Sequence, residues 1–375
     1  MTEDQAVLID AAREYARGEL LDRDRAWDAD ESSMAEVLPQ LGEMGFMSLV
    51  IPEDLGGLGC SYRVYADILH ELSYASPSVA VAMSVHNMVG HLVAEHAAEP
   101  KRTEWLTNWG SADSFGAFAL TEAGAGSDVG AAQTEAKQVE GGYRVTGEKM
   151  WITNGLAARW FLTLARTNPR AGKAGLSAMI VDGNEGGLSR DKIAGKMGIR
   201  GSETAVIHYE DIFVPDDHLL AEEGEGMKVC LSGLNGGRIG IASQATGIAE
   251  ACLDEMVSYA KQREQFGQPL AEFQAIQAMI ADSAVELAAA RELIWLATDQ
   301  VDNDKVAPSA SSKAKLFASE MANRVAYRAI QVHGGTGYVR ECRVEQLARD
   351  ARVTTIYEGT SEIQRIVIAR ELLRA

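Results

Sequence analysis

The chain is predicted to be mainly α with a central β domain, because a helical apolar period occupies both ends of the sequence and gives way between them to short β-prone runs with glycine-bearing turns. At 375 residues it exceeds what one hydrophobic core usually serves, so two or three packed units are expected. In the first stretch, from Asp4 to about Gly110, Val7, Leu8, Ala11, Ala12, Tyr15 and Ala16 recur at spacings of three and four, as do Tyr62, Tyr65, Ala66, Leu69 and Leu72. Pro39, Pro52 with Gly56 and Gly57, Pro77 and Pro100 punctuate these helices.

The texture changes near Ser111. Tyr143 to Val145, Trp160 to Ala165, Ala178 to Val181 and Ala205 to Tyr209 are β-prone, and Gly141-Gly142, Gly172, Gly186-Gly187 and Pro215-Asp216-Asp217 supply bends between them. After Gly226 the helical period returns, first through Ile241, Ala245, Ile248, Ala249, Cys252 and Met256, then through Ile276, Met279, Ile280, Leu287 and Ile294. A third run, about Ser312 to Val332, carries Leu316, Phe317, Met321, Val325, Ala326 and Ile330. Such lengths suit a bundle of antiparallel helices. The expected units are residues 1–112 (helical), 113–224 (β) and 225–375 (helical bundle).

Composition narrows the function. A formal charge of −19 disfavours nucleic acid and anionic membranes, which require a positive surface. The four cysteines, Cys60, Cys230, Cys252 and Cys342, are far apart, which excludes a disulfide scaffold or a thiolate zinc site and fits a reducing cytoplasm. The opening M-T-E-D-Q reads as helix without a signal-peptide pattern, and no apolar run reaches membrane-spanning length. His86, His91 and His96 recur every five residues, which turns each by about 140° on a helix and prevents convergence on one metal. No metal site is expected.

Five constellations could carry chemistry. Phe118-Ala-Leu-Thr-Glu-Ala-Gly-Ala-Gly-Ser-Asp128 is a small-residue turn after a β-prone run; taken alone it is most often just a turn, but its backbone can approach a ligand and its Thr121 and Ser127 add hydroxyls. In Lys149-Met-Trp-Ile-Thr-Asn-Gly155 the alternation of a strand puts Trp151 and Thr153 on one side, an indole and a hydroxyl suited to a planar heterocycle, or else a core tryptophan beside a capped turn, which is the commoner case for the motif alone. Arg263-Glu-Gln-Phe-Gly-Gln-Pro-Leu-Ala-Glu-Phe-Gln274 places an arginine fork before a helix break expected at Gly267 and Pro269, where it could meet a pyrophosphate or merely cap the helix. Gln331-Val-His-Gly-Gly-Thr-Gly-Tyr338 ends a long helix on bare backbone. In Ile356-Tyr-Glu-Gly-Thr-Ser-Glu-Ile-Gln-Arg365, Glu358 sits between an apolar pair and a glycine that starts a new helix, so it could enter a dry pocket that pushes its pKa upward, as a base for a weak carbon acid needs, or simply be a solvated loop glutamate, the commoner case for a single glutamate.

In this order, and over essentially the whole chain, the five resemble the acyl-CoA dehydrogenase family. L-T-E-A-G-A-G-S-D is similar to that family's T-E-P-G-A-G-S-D, W-I-T-N-G matches it unchanged, and R-E-Q-F-G, Q-V-H-G-G and I-Y-E-G-T-S-E-I-Q complete the set. The resemblance implies that family's fold, with an N-terminal helical domain, a middle β-barrel-like domain and a C-terminal four-helix bundle, assembled as a homotetramer. It implies FAD, contacted by Phe118, Leu120, Thr121, Ser127, Trp151, Thr153, Thr360 and Glu362, with Arg263, Phe266, Gln274, Gln331, His333, Gly334 and Gly335 reaching the cofactor of a neighbouring subunit. Glu358 is the implied base, removing the α-proton of an acyl-CoA while the β-hydrogen leaves as hydride to flavin N5. The substrate contacts implied are Ser127, Asn235, Arg238, Glu358 and Gly359, and the electron acceptor is an electron-transfer flavoprotein.

Ala123 departs from the family's usual proline, and Asn235 stands where an aspartate often touches substrate. Some members carry the base just before the arginine matching Arg238; here that residue is Gly237, which leaves Glu358 without a competitor. Glutaryl-CoA members have an arginine where this chain has Ala80, which disfavours a dicarboxylate. The tail around Glu358 resembles the short-chain, butyryl-type enzymes, whereas Met83-Ser-Val-His-Asn-Met88 resembles the isobutyryl type. A short straight or branched acyl group is therefore expected. The rival readings are an oxidase or flavin monooxygenase on the same fold, and a scaffold that lost its chemistry.

Overall fold

The computed structural model describes residues 2–303 and 308–374 and runs helices, sheet, helices, as expected. α1 (Glu3–Tyr15) begins at a reciprocal cap between Thr2 and Gln5, which satisfies N–H groups that a helix leaves unpaired at its start. It continues through a π turn into α2 (Leu21–Asp30). A short α3 (Leu38–Glu43) precedes α4 (Tyr62–Ala75) and α5 (Pro77–His96), which only Ser76 separates. Ser76 Oγ accepts from Val79 N–H at 3.2 Å, and Pro77 takes the first helical position, so the chain reverses without bare donors. Every residue of α5 from Pro77 to Gly90 is buried. That makes it the central post of the molecule. α6 (Lys101–Leu106) completes this part.

The sheet comprises β1 (Gly116–Ala119), β2 (Glu135–Val139), β3 (Gly142–Thr153), β4 (Trp160–Arg166), β5 (Leu176–Asp182), β6 (Leu188–Lys192), β7 (Thr204–Pro215) and β8 (Leu219–Leu220). Their order is β6-β7-β3-β2-β4-β5-β8, with β1 parallel to β4. β4 and β5 are buried almost end to end, as strands covered on both faces must be. The β3–β7 ladder shifts register between Lys149 and Ile152, and Trp151 there has φ 62°. Simple alternation is thus interrupted by a bulge, although Ile152 still faces the core while Trp151 stands exposed and Thr153 half-buried.

α7 (Gly226–Gln262) spans 37 residues, about 55 Å. The helix break expected at Gly267 and Pro269 comes earlier. α7 stops at Gln262, Arg263 follows it, and β9 (Glu264–Gln265) and β10 (Gln268–Pro269) make a two-stranded hairpin. Phe266 at φ 53° and Gly267 at φ 77° give the two successive left-handed corners that such a tight hairpin requires. α8 (Gln274–Asp302), α9 (Pro308–His333), α10 (Arg343–Val353) and α11 (Ser361–Arg374) finish the bundle. In α9 Met321, Val325 and Ala326 turn inward as read from the sequence, but the rest of the inward seam differs. Ser311, Lys315, Ala318, Ala322, Val325 and Ala329 are buried, whereas Leu316, Phe317 and Ile330 are half-buried. Small side chains let α9 lie close along α7, and larger ones are displaced to the flanks.

The three parts meet at a cluster of carboxylates. Asp24 on α2 accepts from Ser76 Oγ (2.5 Å) and from Gln346 Nε2 on α10 (2.6 Å). Asp350 accepts from Ile199 N–H, in the loop before β7, at 2.5 Å. Arg349 grips both oxygens of Asp28 at 2.7 and 2.6 Å. Burial pushes Asp24 up to about 7, and burial, then the nearby Asp24, holds Asp350 well above the usual carboxylate range. Among the described residues no helix is long and apolar enough to cross a membrane.

Candidate active site

Glu358 lies in the turn between α10 and α11, and the turn explains its aim. Glu358 has φ 52° and Gly359 φ 87°, so two consecutive left-handed residues reverse the chain before Thr360 Oγ1 caps α11 by accepting from Ile363 N–H at 3.3 Å. Glycine accepts that conformation freely, but glutamate does not. The surroundings hold it there. Buried Gln364 Nε2 donates to the carbonyls of both Glu358 (3.0 Å) and Gly359 (2.9 Å), and Lys315 Nζ from α9 donates to Gly359 O at 2.8 Å.

One oxygen of the carboxylate is sealed. Glu358 Oε2 has no hydrogen-bond partner and is shut from solvent, and burial pushes the group up to about 7 despite the opposing pull of Arg238 and Lys315. Arg238 on α7 is itself buried, its Nη1 meeting Asn235 Oδ1 at 3.4 Å while its Nε lacks a partner. Gly237 makes room for the acid, since a β-carbon at that position would overlap the Glu358 carboxylate and crowd Met88 Sδ. Both obstructions are ends of flexible side chains. Gly237→Ala is therefore expected to melt within about 1 kcal/mol of the parent, the ordinary range for a glycine-to-alanine change in a helix, yet to reduce turnover at least tenfold by displacing the acid. Unchanged turnover in a steady-state assay would contradict this placement.

A second group gathers at the edge of the sheet. Met150 N–H donates to Thr121 O at 2.8 Å, and buried Lys149 donates to Leu120 O (3.1 Å) and Glu122 Oε1 (2.8 Å). Glu122 accepts in addition from Gln133 N–H (2.7 Å) and Thr134 N–H (2.9 Å). This clasp brings the turn bearing Leu120, Thr121 and Ser127 against the strand bearing Trp151 and Thr153, with Phe118 on the neighbouring β1. Asn154 Nδ2 ties the same corner to α5 through Ala82 O, and to Gly116 O, each at 3.0 Å.

These residues fit a flavin. Trp151 presents an indole that is 58% exposed, Thr121 and Thr153 are half-buried beside it, and a β-carbon on Gly124 or Gly126 would meet nothing within 4 Å, which leaves open backbone for a bound ring or chain. Thr360 and Glu362 line a cleft of about 370 Å³ together with Asn323 and Arg352.

The remaining expected cofactor contacts stand elsewhere. Tyr259 of α7 stacks on His333 at 4.2 Å, so the hairpin after α7 and the glycine turn after α9 share one end of the bundle. Arg263, Phe266, Gln274, Gln331, Gly334 and Gly335 are exposed there, while His333 is buried with Nδ1 at 2.8 Å from Ala329 O. Gln331 lies 16 residues beyond Lys315 on α9, roughly 24 Å along the axis. The structure does not bring this set to Glu358. The sequence reading missed Lys149, Gln364 and Lys315. Lys149 shares the inward parity of Tyr143 and Val145, so the strand period pointed to it, whereas Lys315 lies on a seam of small residues in α9 that the apolar period does not pick out. Among the described residues no cluster of metal-binding side chains occurs; His86 instead stacks on Trp109 and accepts from Gly116 N–H at 3.0 Å.

Family models cover nearly the whole chain: the acyl-CoA dehydrogenase N-terminal domain matches residues 2–113, the middle domain 117–212 and the C-terminal domain 224–373. The chain belongs to the acyl-CoA dehydrogenase family. It is similar to an acyl-CoA dehydrogenase of Bacillus subtilis (strain 168), 40% identical over 100% of this chain and 99% of that protein. The short-chain specific acyl-CoA dehydrogenase, mitochondrial, of Mus musculus is 42% identical over 100% and 91%. Among solved structures, butyryl-CoA dehydrogenase from Megasphaera elsdenii superposes with a TM-score of 0.97 at 34% identity, covering 100% of this chain and 99% of that one. As a member of this family the acyl-CoA dehydrogenase is an oxidoreductase acting on CH–CH bonds, and its cofactor is FAD.

Proposed function

We propose that this acyl-CoA dehydrogenase converts a short straight or branched acyl-CoA to its 2-enoyl thioester, with Glu358 removing the α-proton. The observation that carries the reading is the sealed, unpartnered Glu358 Oε2, poised near neutrality between two cations. An acid with a midpoint of about 7 can hold and release a proton at working pH, as a general base must. The Glu358 N–H meets no backbone acceptor among the described residues and is a donor able to polarise the thioester carbonyl, without which the α-proton is far too weakly acidic. FAD, when bound, supplies the hydride acceptor.

The preference for short chains draws support from the walls beside Glu358. On α7 Gly233 abuts Leu92, Gly236 abuts the Tyr62 phenol, and Gly240 abuts the Tyr65 hydroxyl with Ser84, where Tyr65 Oη and Ser84 Oγ are bonded at 3.0 Å. Side chains thus fill the helix interface on both sides of Gly237. The short-chain and butyryl-CoA names of two relatives point the same way. An electron-transfer flavoprotein is the acceptor we propose. A homotetramer is the assembly, with the exposed hairpin around Phe266 and the Gly334-Gly335 turn meeting a neighbour's cofactor.

The test is anaerobic titration of the holoenzyme with butyryl-, isobutyryl- and palmitoyl-CoA. The short thioesters should bleach the flavin at least tenfold faster than the long one, and the colour should return slowly in air. Fastest bleaching by palmitoyl-CoA would reject the substrate class, and rapid return in air would favour an oxidase.

A further inference from the structure

We propose that Lys315 is a positioning residue for the base: its ammonium holds the left-handed turn that aims Glu358 and supplies the positive charge against which the buried carboxylate ionises. The inference rests on Glu358 being the base. Lys315 is 0% exposed, and a lysine is kept from water only where its charge is used or compensated. Its Nζ makes one hydrogen bond, to Gly359 O at 2.8 Å, although an ammonium has three donors to give. It reaches that carbonyl from α9, an element remote in sequence from the turn. Gln364 alone would fix the turn from α11, but its amide carries no charge.

The electrostatic setting is compact. Arg238 of α7 and Lys315 of α9 both act on Glu358, and the phenols of Tyr65 and Tyr357, which burial keeps neutral, also face it. Lys315 in turn feels Glu358, Arg238, Glu320 and Glu362, and burial, the largest influence, draws it down to about 8. It is therefore cationic through most of the range in which Glu358, at about 7, loses its proton. Removing a neighbouring cation makes the carboxylate harder to ionise. The acid side of the activity profile should consequently move to higher pH.

The experiment is the pH dependence of flavin reduction by butyryl-CoA, followed anaerobically by stopped flow, in wild type, Lys315→Met, Lys315→Gln, Lys315→Arg and Glu358→Gln. In Lys315→Met the acid limb is expected about one pH unit higher, and Lys315→Arg should stay with wild type. Lys315→Gln keeps a donor for Gly359 but no charge, so its limb should move as in Lys315→Met, and it carries the comparison if Lys315→Met does not hold flavin. A purely structural lysine would lower the melting temperature and leave the limb where it was. An unmoved limb in the uncharged variants, or an equal displacement in Lys315→Arg, overturns the proposal. Glu358→Gln separates the two levels: ordinary reduction in that variant removes the base itself, whereas its inactivity beside an unmoved Lys315→Met limb removes the lysine's role alone.

Discussion

Glu358→Gln is expected to yield a yellow protein whose flavin a short acyl-CoA reduces slower by a factor of about 10²–10⁴, the usual worth of a general base. Glutamine preserves the shape of a side chain packed against Gly237 and Met88 and the turn held by Gln364 and Lys315, so folding and flavin content should be unaffected. What it lacks is an oxygen able to take a proton. A rapid-mixing measurement with flavin absorbance as the signal separates this from loss of binding, since the thioester should still perturb the flavin spectrum. Reduction within threefold of wild type would place the base on another residue.

Lys149→Met is expected to be the most damaging change outside the pocket. Lys149 is fully buried, and its partner Glu122 retains only 11% side-chain exposure. Removing the cation leaves a nearly enclosed carboxylate held only by the Gln133 and Thr134 N–H groups, and losing one partner of a buried ion pair costs about 3 kcal/mol. The loss falls on the turn that carries Leu120, Thr121 and Ser127, so weaker flavin retention should accompany a lower urea midpoint. Glu122→Gln introduced with Lys149→Met should recover part of the stability, because two neutral groups leave no buried charge behind. Stability and flavin content equal to wild type in the single variant would show that the clasp is dispensable.

Much of this architecture was legible because two signals are local. The helical period and the glycine-punctuated β-prone runs announce the sequence helices, sheet, helices, and W-I-T-N-G and I-Y-E-G-T-S keep their meaning wherever the rest of the chain goes. What stayed hidden depends on contacts between distant segments. Lys315 and Glu358 are 43 positions apart, and a lysine in a helix is ordinarily a solvated residue, so only the packing of α9 against α7 gives it a role. Gly237 read simply as an absent competitor; the fold adds that its missing side chain is the space Glu358 occupies. The hairpin at Phe266 was mistaken for a plain helix break because Gly267 and Pro269 serve either purpose, and the deciding feature is a left-handed phenylalanine that residue type does not foretell.

The carboxylates where α2, α10 and the loop before β7 converge make cohesion of the molecule depend on acidity. Asp24 keeps its proton up to about 7 in the folded chain, against an ordinary value of 3.8. Between roughly pH 4 and 7 the native state therefore holds a proton that the unfolded chain has already released, and each increment of alkalinity in that interval subtracts from stability. Asp350, displaced in the same direction, adds to the slope. Mild acid should thus tighten the seam between the three parts, and the approach to neutral pH should loosen it first.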